Sequence, residues 1–128
     1  MNKATKKDIE QLRSLRKRGD FLRVQGSGCK WVAPGVIMIT APGQGGQTGF
    51  GLTVTKKLSK SAVIRNRIRR RLRSAAYDVL PRFARSGQDY ILIARLESGT
   101  IDYEKLCKDI YWCLKRLECL NETNPHVA

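Results

Sequence analysis

The sequence predicts an α+β fold: a two-layer α-β sandwich in which helices pack on a small, mostly antiparallel four-stranded sheet, in the order αβββαβα. Three observations predict this class. Three strand-like stretches follow a short helical one, two longer stretches have helical periodicity, and a fourth apolar strand lies between those two. No repeat and no linker divides the 128 residues, which suit one domain with one core.

Composition sets the expected boundaries of that domain. Residues 1–16 are polar and basic, which predicts a flexible N-terminal arm. Residues 17–120 are expected to form the single folded domain, and residues 121–128 a flexible tail.

The first helix and the first three strands are predicted in the first half of the chain. Asp20 can cap a short helix, and Gly26 and Gly28 can end it. The stretches "CKWVA" and "GVIMITA" predict two strands separated by a turn at Pro34. In "FGLTVTKK", apolar side chains alternate with threonines, which is the period of a strand with one buried face.

Two helices and the last strand follow. Ser59 or Ser61 can cap a long helix, which Pro81 is expected to end near Leu80. The stretch "DYILIAR", from Asp89, is almost continuously apolar and is typical of a strand covered on both faces. The stretch "DYEKLCKDIYWCLKRLECL" has apolar residues at helical spacing and predicts the last helix.

Positive charge is concentrated in the first part of the chain, whose net charge is +14 overall. Residues 1–73 hold 18 of the 25 basic residues and 3 of the 11 acidic ones, whereas residues 74–128 hold 7 basic and 8 acidic residues. Charge of one sign at this density repels itself unless a polyanion compensates it. Nucleic acid is therefore the leading candidate partner.

The densest positive charge lies in "SAVIRNRIRRRLRSAA", residues 61–76, which holds six arginines and no acidic residue. On a helical wheel one stripe faces the core and the other side is basic. Arginine binds phosphate bidentately, which indicates an RNA or DNA backbone as the target. Arg71 borders the core stripe, from which we expect it to extend outward. The predicted core stripe is Ile64, Ile68, Leu72, Ala75 and Val79, and the predicted outer face is Arg65, Asn66, Arg67, Arg69, Arg70 and Arg73.

The sequence indicates no catalytic residue and no metal ligand in this chain. Its acidic residues are scattered, which does not suit a metal-dependent nuclease. The single histidine, His126, lies close to the end of the chain. Cys107, Cys113 and Cys119 are spaced six apart, which turns successive thiols around the helix axis, so they cannot jointly bind a metal.

A cytoplasmic location without a membrane partner is expected. The N-terminus lacks the apolar stretch of a signal peptide, and no run of about 18 apolar residues occurs. The four cysteines suit reduced, partly buried thiols better than a disulfide framework.

The segment "RNRIRRRLR", Arg65 to Arg73, resembles the signature of the bacterial ribonuclease P protein component. "DFLRV" at Asp20, "GLTVTKK" at Gly51 and "DYILIAR" at Asp89 occur in the same order and at similar spacing in that family. The resemblance covers roughly residues 18–117. Its most specific part is the Arg-Asn-Arg segment together with the preceding pair of lysines.

The resemblance implies the protein subunit of an endoribonuclease ribonucleoprotein, in which an RNA subunit removes the 5′ leader of precursor tRNA. The implied partners are ribonuclease P RNA and precursor tRNA, with no obligatory protein partner, and the magnesium is bound mainly by the RNA subunit. Phe21 matches an aromatic residue that lines a cleft for the single-stranded leader, between the first helix and the sheet. The family also joins parallel strands through a helix. The residues implied to bind the RNA subunit are Lys56, Lys57, Arg65, Asn66, Arg67, Arg69, Arg70 and Arg73.

The sequence leaves several alternatives open. A structural RNA-binding protein of the ribosomal type would need the same charge without a role in tRNA processing. A DNA-binding helix module would need a helix-turn-helix or a dimer element, and neither is visible. Phe21 could instead be a core residue of its helix. Trp31 and Trp112 are more typical of packing residues than of base platforms, because base platforms are usually bordered by basic side chains. Trp112 lies in the helix that carries acidic residues, whereas Trp31 lies beside Lys30, so the choice for Trp31 stays more open.

Overall fold

The computed structural model describes residues 12–15, 17–43 and 47–121, so that most of the predicted arm and tail lie outside the described residues. No helix in these ranges is long and apolar enough to cross a membrane. A short 3-10 turn lies at Leu96–Gly99. The helices are α1 (Arg18–Ser27), α2 (Ala62–Phe83) and α3 (Tyr103–Arg116). The strands are β1 (Leu12–Ser14), β2 (Cys29–Val32), β3 (Val36–Pro42), β4 (Thr48–Thr53) and β5 (Gln88–Ala94).

The strands form one mixed sheet in the order β1-β4-β5-β3-β2. Strands β1 and β5 are parallel to β4, whereas β3 is antiparallel to both β5 and β2. Helix α2 connects β4 to β5, so parallel strands are joined through a helix. The α+β class is confirmed, but the sheet has five strands rather than four and is mixed rather than mostly antiparallel.

Strand β1 is the element that the sequence did not predict, and it lies inside the expected arm of residues 1–16. Its residues pair with β4, and the backbone N–H of Leu15 donates to Phe50 O at 2.8 Å. A three-residue strand is too short to show alternation, and its pairing partner is distant in sequence, so tertiary contacts decide it. The folded part therefore begins no later than Leu12.

Helices cover both faces of the sheet. Helices α2 and α3 pack side by side on one face over the main core, whose fully buried side chains include Met38, Leu72 and Leu92. Helix α1 packs on the other face over a smaller core that includes Val24 and Ile91. Helix α1 thus adds a layer to the two-layer arrangement predicted.

A buried ion pair holds α1 in place. Asp89 is fully buried in β5, and the guanidinium of Arg23 contacts its carboxylate directly. Arg13 Nη2 from β1 lies 3.6 Å from the other carboxylate oxygen. One carboxylate therefore ties β1, α1 and β5 together, and removing it would leave charge uncompensated in the interior.

The ends of two helices differ from the prediction. Helix α1 begins at Arg18, with Asp20 in its first turn rather than at the cap. The hydroxyl of Ser61 caps α2 by accepting a hydrogen bond from the Ile64 N–H at 3.3 Å. Helix α2 then continues past Pro81 to Phe83, which packs against the main core, so tertiary packing outweighs the proline.

Burial along α2 confirms most of the predicted core stripe. Ile68, Leu72, Ala75 and Val79 are fully buried. The prediction was wrong for Ile64, which is 45% exposed, because the first turn of α2 extends beyond the core.

Candidate nucleic-acid interface

The turn between β4 and α2 presents the two predicted lysines to solvent. Strand β4 ends at Thr53, and a turn closed by the Leu58 N–H donating to Thr55 O at 3.1 Å follows it. Lys56 and Lys57 lie in this turn, and both are exposed. They therefore lie next to the start of α2, after the strand rather than at its end.

The predicted outer side of α2 forms one basic face, which we call the arginine face. Two contacts order it: Arg65 Nη1 donates to Ser59 O at 2.9 Å, and Arg69 Nη1 donates to Asn66 Oδ1 at 2.8 Å. Among the described residues, no carboxylate lies within 4.0 Å of its arginines. The structure thus places the predicted residues of α2 on one surface. None of the described carboxylates neutralises the charge of that surface. The arginine face consists of Arg65, Asn66, Arg67, Arg69, Arg70 and Arg73, of which Asn66, Arg67, Arg70 and Arg73 are exposed and the other two half-buried.

Arg71 has a structural role instead of extending outward as predicted. Its Nε donates to Ser98 O at 3.1 Å, and its Nη2 donates to Ile101 O. These carbonyls belong to the 3-10 turn after β5 and to the residues that follow it. Arg71 therefore ties α2 to the neighbouring backbone and does not belong to the arginine face.

A pocket of about 490 Å³ opens beside the arginine face, between α2 and strands β1 and β4. The ring of Tyr77 meets Phe50 edge to face at 5.9 Å between centroids. Cationic groups over aromatic walls suit a phosphate next to a base or a sugar. Tyr77 was not predicted, although it lies four residues after Arg73 and thus on the same side of the helix. The lining residues are Ser14, Leu15, Phe50, Gly51, Leu52, Arg69, Arg73 and Tyr77.

Phe21 lies on the opposite face of the sheet from the arginine face. Its half-buried ring packs against the smaller core beneath α1. The ring also covers Gly51, where an added Cβ would lie 2.8 Å from Phe21 Cζ. Glycine at this position therefore leaves room for the ring against β4.

Helix α1 leaves one row of side chains on its face of the sheet without full cover, and we call it the uncovered row. Strand register places its four members side by side across β2, β3, β5 and β4. Val32 is 50% exposed and the other three are half-buried. Phe21 and the uncovered row lie on the same face of the sheet, and we call them together the α1-side cleft. The row consists of Val32, Ile37, Ile93 and Thr53.

The titratable groups with shifted pKa values lie in the main core. Burial raises the pKa of the thiols of Cys107, Cys113 and Cys119, that of Cys113 to about 12. Burial likewise raises the pKa of Tyr90, whose hydroxyl donates to Arg85 O at 2.7 Å. These groups are neutral packing residues at neutral pH. Within the described ranges, no three His, Cys, Asp or Glu side chains are grouped so as to hold a metal ion.

The fold and the arginine face are typical of a class: a small α+β protein that binds the phosphates of a nucleic acid through one helix. The family described as Ribonuclease P matches residues 9–118. The chain is 43% identical over 123 residues to the ribonuclease P protein component of Paramagnetospirillum magneticum, covering 92% of each chain. It is 37% identical over 102 residues to that of Erythrobacter litoralis, covering 80% of this chain and 83% of the relative.

Solved structures agree with this relationship at the level of the fold. The Staphylococcus aureus RNase P protein superimposes with a TM-score of 0.70 at 24% identity, covering 84% of this chain and 97% of that one. The Thermotoga maritima RNase P protein gives 0.69 at 22% identity, covering 81% and 96%. The chain belongs to the ribonuclease P protein family and is the protein subunit of an endoribonuclease ribonucleoprotein, whose catalytic RNA is not part of this chain. The resemblance seen in the sequence is thereby confirmed, and family membership decides against the ribosomal-type alternative.

Proposed function

We propose that the arginine face, with Lys56 and Lys57, binds the RNA subunit, and that Phe21 and the uncovered row bind the 5′ leader of precursor tRNA. The protein would then assist the magnesium-dependent, RNA-catalysed removal of the leader in tRNA 5′ maturation. The observation that carries the proposal is the arginine face itself, whose guanidinium groups have no carboxylate partner among the described residues.

The chemistry of the arginine face suits a folded RNA rather than a small ligand. Guanidinium groups bind phosphates in bidentate fashion, and each phosphate neutralised releases condensed counterions. The face extends from Arg65 to Arg73, about 12 Å along α2 at a rise of about 1.5 Å per residue. This length spans two or so phosphate steps of an RNA strand, so several contacts form at once.

The cleft on the α1 side suits a single strand instead. Most of its side chains are apolar, and Phe21 offers an aromatic ring on which an unpaired base can stack. Because the leader is single-stranded, its bases are free to make this contact, whereas paired bases are not. We assign magnesium mainly to the RNA subunit and expect the enzyme to act in the cytoplasm.

The proposal is tested by replacing Arg67, Arg70 and Arg73 with Gln. These three are exposed, whereas Arg65 also supports the start of α2 through Ser59. Affinity for ribonuclease P RNA should fall, and the slope of log K against log salt should become shallower by roughly 0.7 to 0.9 for each lost contact. Binding isotherms at several salt concentrations, with a thermal melt of the free protein, measure both effects.

A matched triple variant separates local from bulk charge. Lys17, Arg18 and Lys30 are also exposed and lie outside α2, so their replacement by Gln removes the same charge elsewhere. The control variant should retain most of the salt slope. Equal losses in the two variants would mean that the RNA subunit senses only the net charge and does not lie on the arginine face.

A further inference from the structure

A second basic surface lies on α3, at the opposite edge of the sheet from the arginine face, and it contains both tryptophans of the chain. The arginine face borders the pocket beside β1, whereas Trp31 lies in β2, and these are the two outer strands. Five strands at a spacing of about 4.8 Å separate the two edges by roughly 19 Å. We call this second surface the tryptophan patch; it consists of Trp31, Lys105, Lys108, Trp112, Lys115 and Arg116.

The geometry of the tryptophan patch combines cations with indole rings. The guanidinium of Arg116 lies 4.5 Å from the centroid of Trp31 and 5.7 Å from that of Trp112. Lys115 Nζ lies 5.6 Å from the Trp112 centroid. Trp31 packs against the main core, whereas Trp112 is 45% exposed. Trp112 thus presents open ring surface beside two cations.

Of the two acidic residues of α3, one is buried and the other lies at the end of this surface farthest from Trp112. Asp109 is buried and accepts a hydrogen bond from the Gly35 N–H at 2.9 Å. Glu104 is exposed in the first turn of α3, beside Lys105 and four residues before Lys108, and it is about 12 Å along the helix from Trp112. On a wheel, Lys105, Lys108, Lys115 and Arg116 flank Trp112 within an arc of about 100°. Among the described residues, no carboxylate lies within 4.0 Å of any of these four.

We propose that the tryptophan patch is a second RNA-binding surface, which takes an unpaired segment of RNA with a base stacked on Trp112. The cations select a polyanion, and the exposed ring selects an unpaired base, because bases within a duplex have no free face. A duplex or an acidic protein would satisfy the charge but would leave the ring without a stacking partner. The assignment does not rest on the arginine face, which lies at the other edge.

The experiment uses tryptophan emission, because both tryptophans of the chain lie in the patch. It uses the variant with Phe21 replaced by Ala and Arg67, Arg70 and Arg73 replaced by Gln, so that neither the proposed leader site nor the arginine face contributes to binding. Titration with a single-stranded oligoadenylate decamer should quench the emission to saturation. The same length of RNA duplex should quench it less at equal phosphate concentration.

Two substitutions in that background assign the site, with affinity measured by anisotropy of a labelled decamer. Trp112→Leu should weaken binding roughly 5- to 150-fold, the range expected for one stacked base. Lys108→Gln with Lys115→Gln should weaken it and make the salt dependence shallower. Lys17→Gln with Arg18→Gln is the matched control, because it removes two charges at exposed positions outside the patch, and it should change neither quantity.

The outcomes separate this proposal from the one for α2. If the arginine face does not bind the RNA subunit, replacing Arg67, Arg70 and Arg73 with Gln will leave the affinity for ribonuclease P RNA unchanged. This result does not depend on how the decamer binds. Absence of saturable quenching, or unchanged decamer affinity in a folded Trp112→Leu variant, would overturn the second surface. Quenching by polyglutamate as strong as that by the decamer would show a general polyanion site and would overturn the assignment to unpaired RNA.

Discussion

The two faces of the sheet differ in how they combine apolar cover with charge. On one face, α2 and α3 bury a continuous main core and turn their basic sides outward. On the other, the single short helix α1 covers a smaller core and leaves Val32 half exposed. The first face offers dense charge on its helices, and the second offers apolar side chains that α1 covers only in part. The difference shows how one small domain can keep a dense basic surface apart from a less covered apolar one.

The largest effect is expected where the main core is deepest. Ile68→Asp places an unpaired carboxylate at a fully buried position of α2, which should cost more than about 4 kcal/mol and unfold the protein. Ile64→Asp, one turn earlier and 45% exposed, should change the free energy of unfolding by less than about 1 kcal/mol. Urea unfolding followed by circular dichroism measures the free energy of unfolding of both variants. Similar losses in the two would contradict the conclusion that the buried side of α2 begins after Ile64.

A medium effect on binding is expected in the cleft. Phe21→Ala should weaken binding of precursor tRNA by the assembled enzyme by about 1 to 3 kcal/mol if a leader base stacks on the ring. Binding of mature tRNA, which lacks the leader, should be unchanged. Equal losses for both substrates, together with a lower melting temperature, would identify Phe21 as a core residue alone.

The smallest effect is a pH dependence that arises in the main core. Burial in the main core raises the pKa of Cys113 to about 12, above about 8.5 for an exposed thiol. The folded state therefore keeps this proton while the unfolded state loses it, so the stabilisation is complete below about pH 8.5 and declines as pH rises toward 12. Between pH 8 and pH 10 the wild type should lose roughly 1 to 2 kcal/mol more of its free energy of unfolding than Cys113→Ala does.

The control for the pH experiment is Cys29→Ala, because Cys29 is the exposed cysteine. This variant should follow the wild type at each pH in urea unfolding. If Cys113→Ala and the wild type decline in parallel, the Cys113 thiol ionises as readily inside the fold as outside it.

The sequence predicted the elements whose signals are local. The α2 core stripe, four of the strands and the arginine face follow from periodicity and charge within one segment each. Strand β1 was missed because its pairing with β4 lies outside any local window. Arg71 was misassigned because its partners, the carbonyls of Ser98 and Ile101, come from the chain beyond β5.

The tryptophan patch was missed for a related reason. Counting acids over the whole last helix made α3 look mixed in charge, although burial removes Asp109 from its surface. Trp31 comes from a strand far away in sequence, and only the packing of β2 beside α3 brings it under Arg116. The charge of a surface thus depends on which side chains the fold brings together and which it buries. Counting acidic and basic residues along one segment does not show this.

Only one of the four thiols is exposed, so a dye can be attached to the protein at a single known position. Cys107, Cys113 and Cys119 are buried with raised pKa values, so a maleimide dye at neutral pH should react at Cys29 alone. Cys29 lies on β2, two residues before Trp31. The chain can therefore be labelled at one edge of the sheet without any substitution. Energy transfer between this dye and a second dye on one end of a bound RNA would then show in which direction the RNA runs across the molecule.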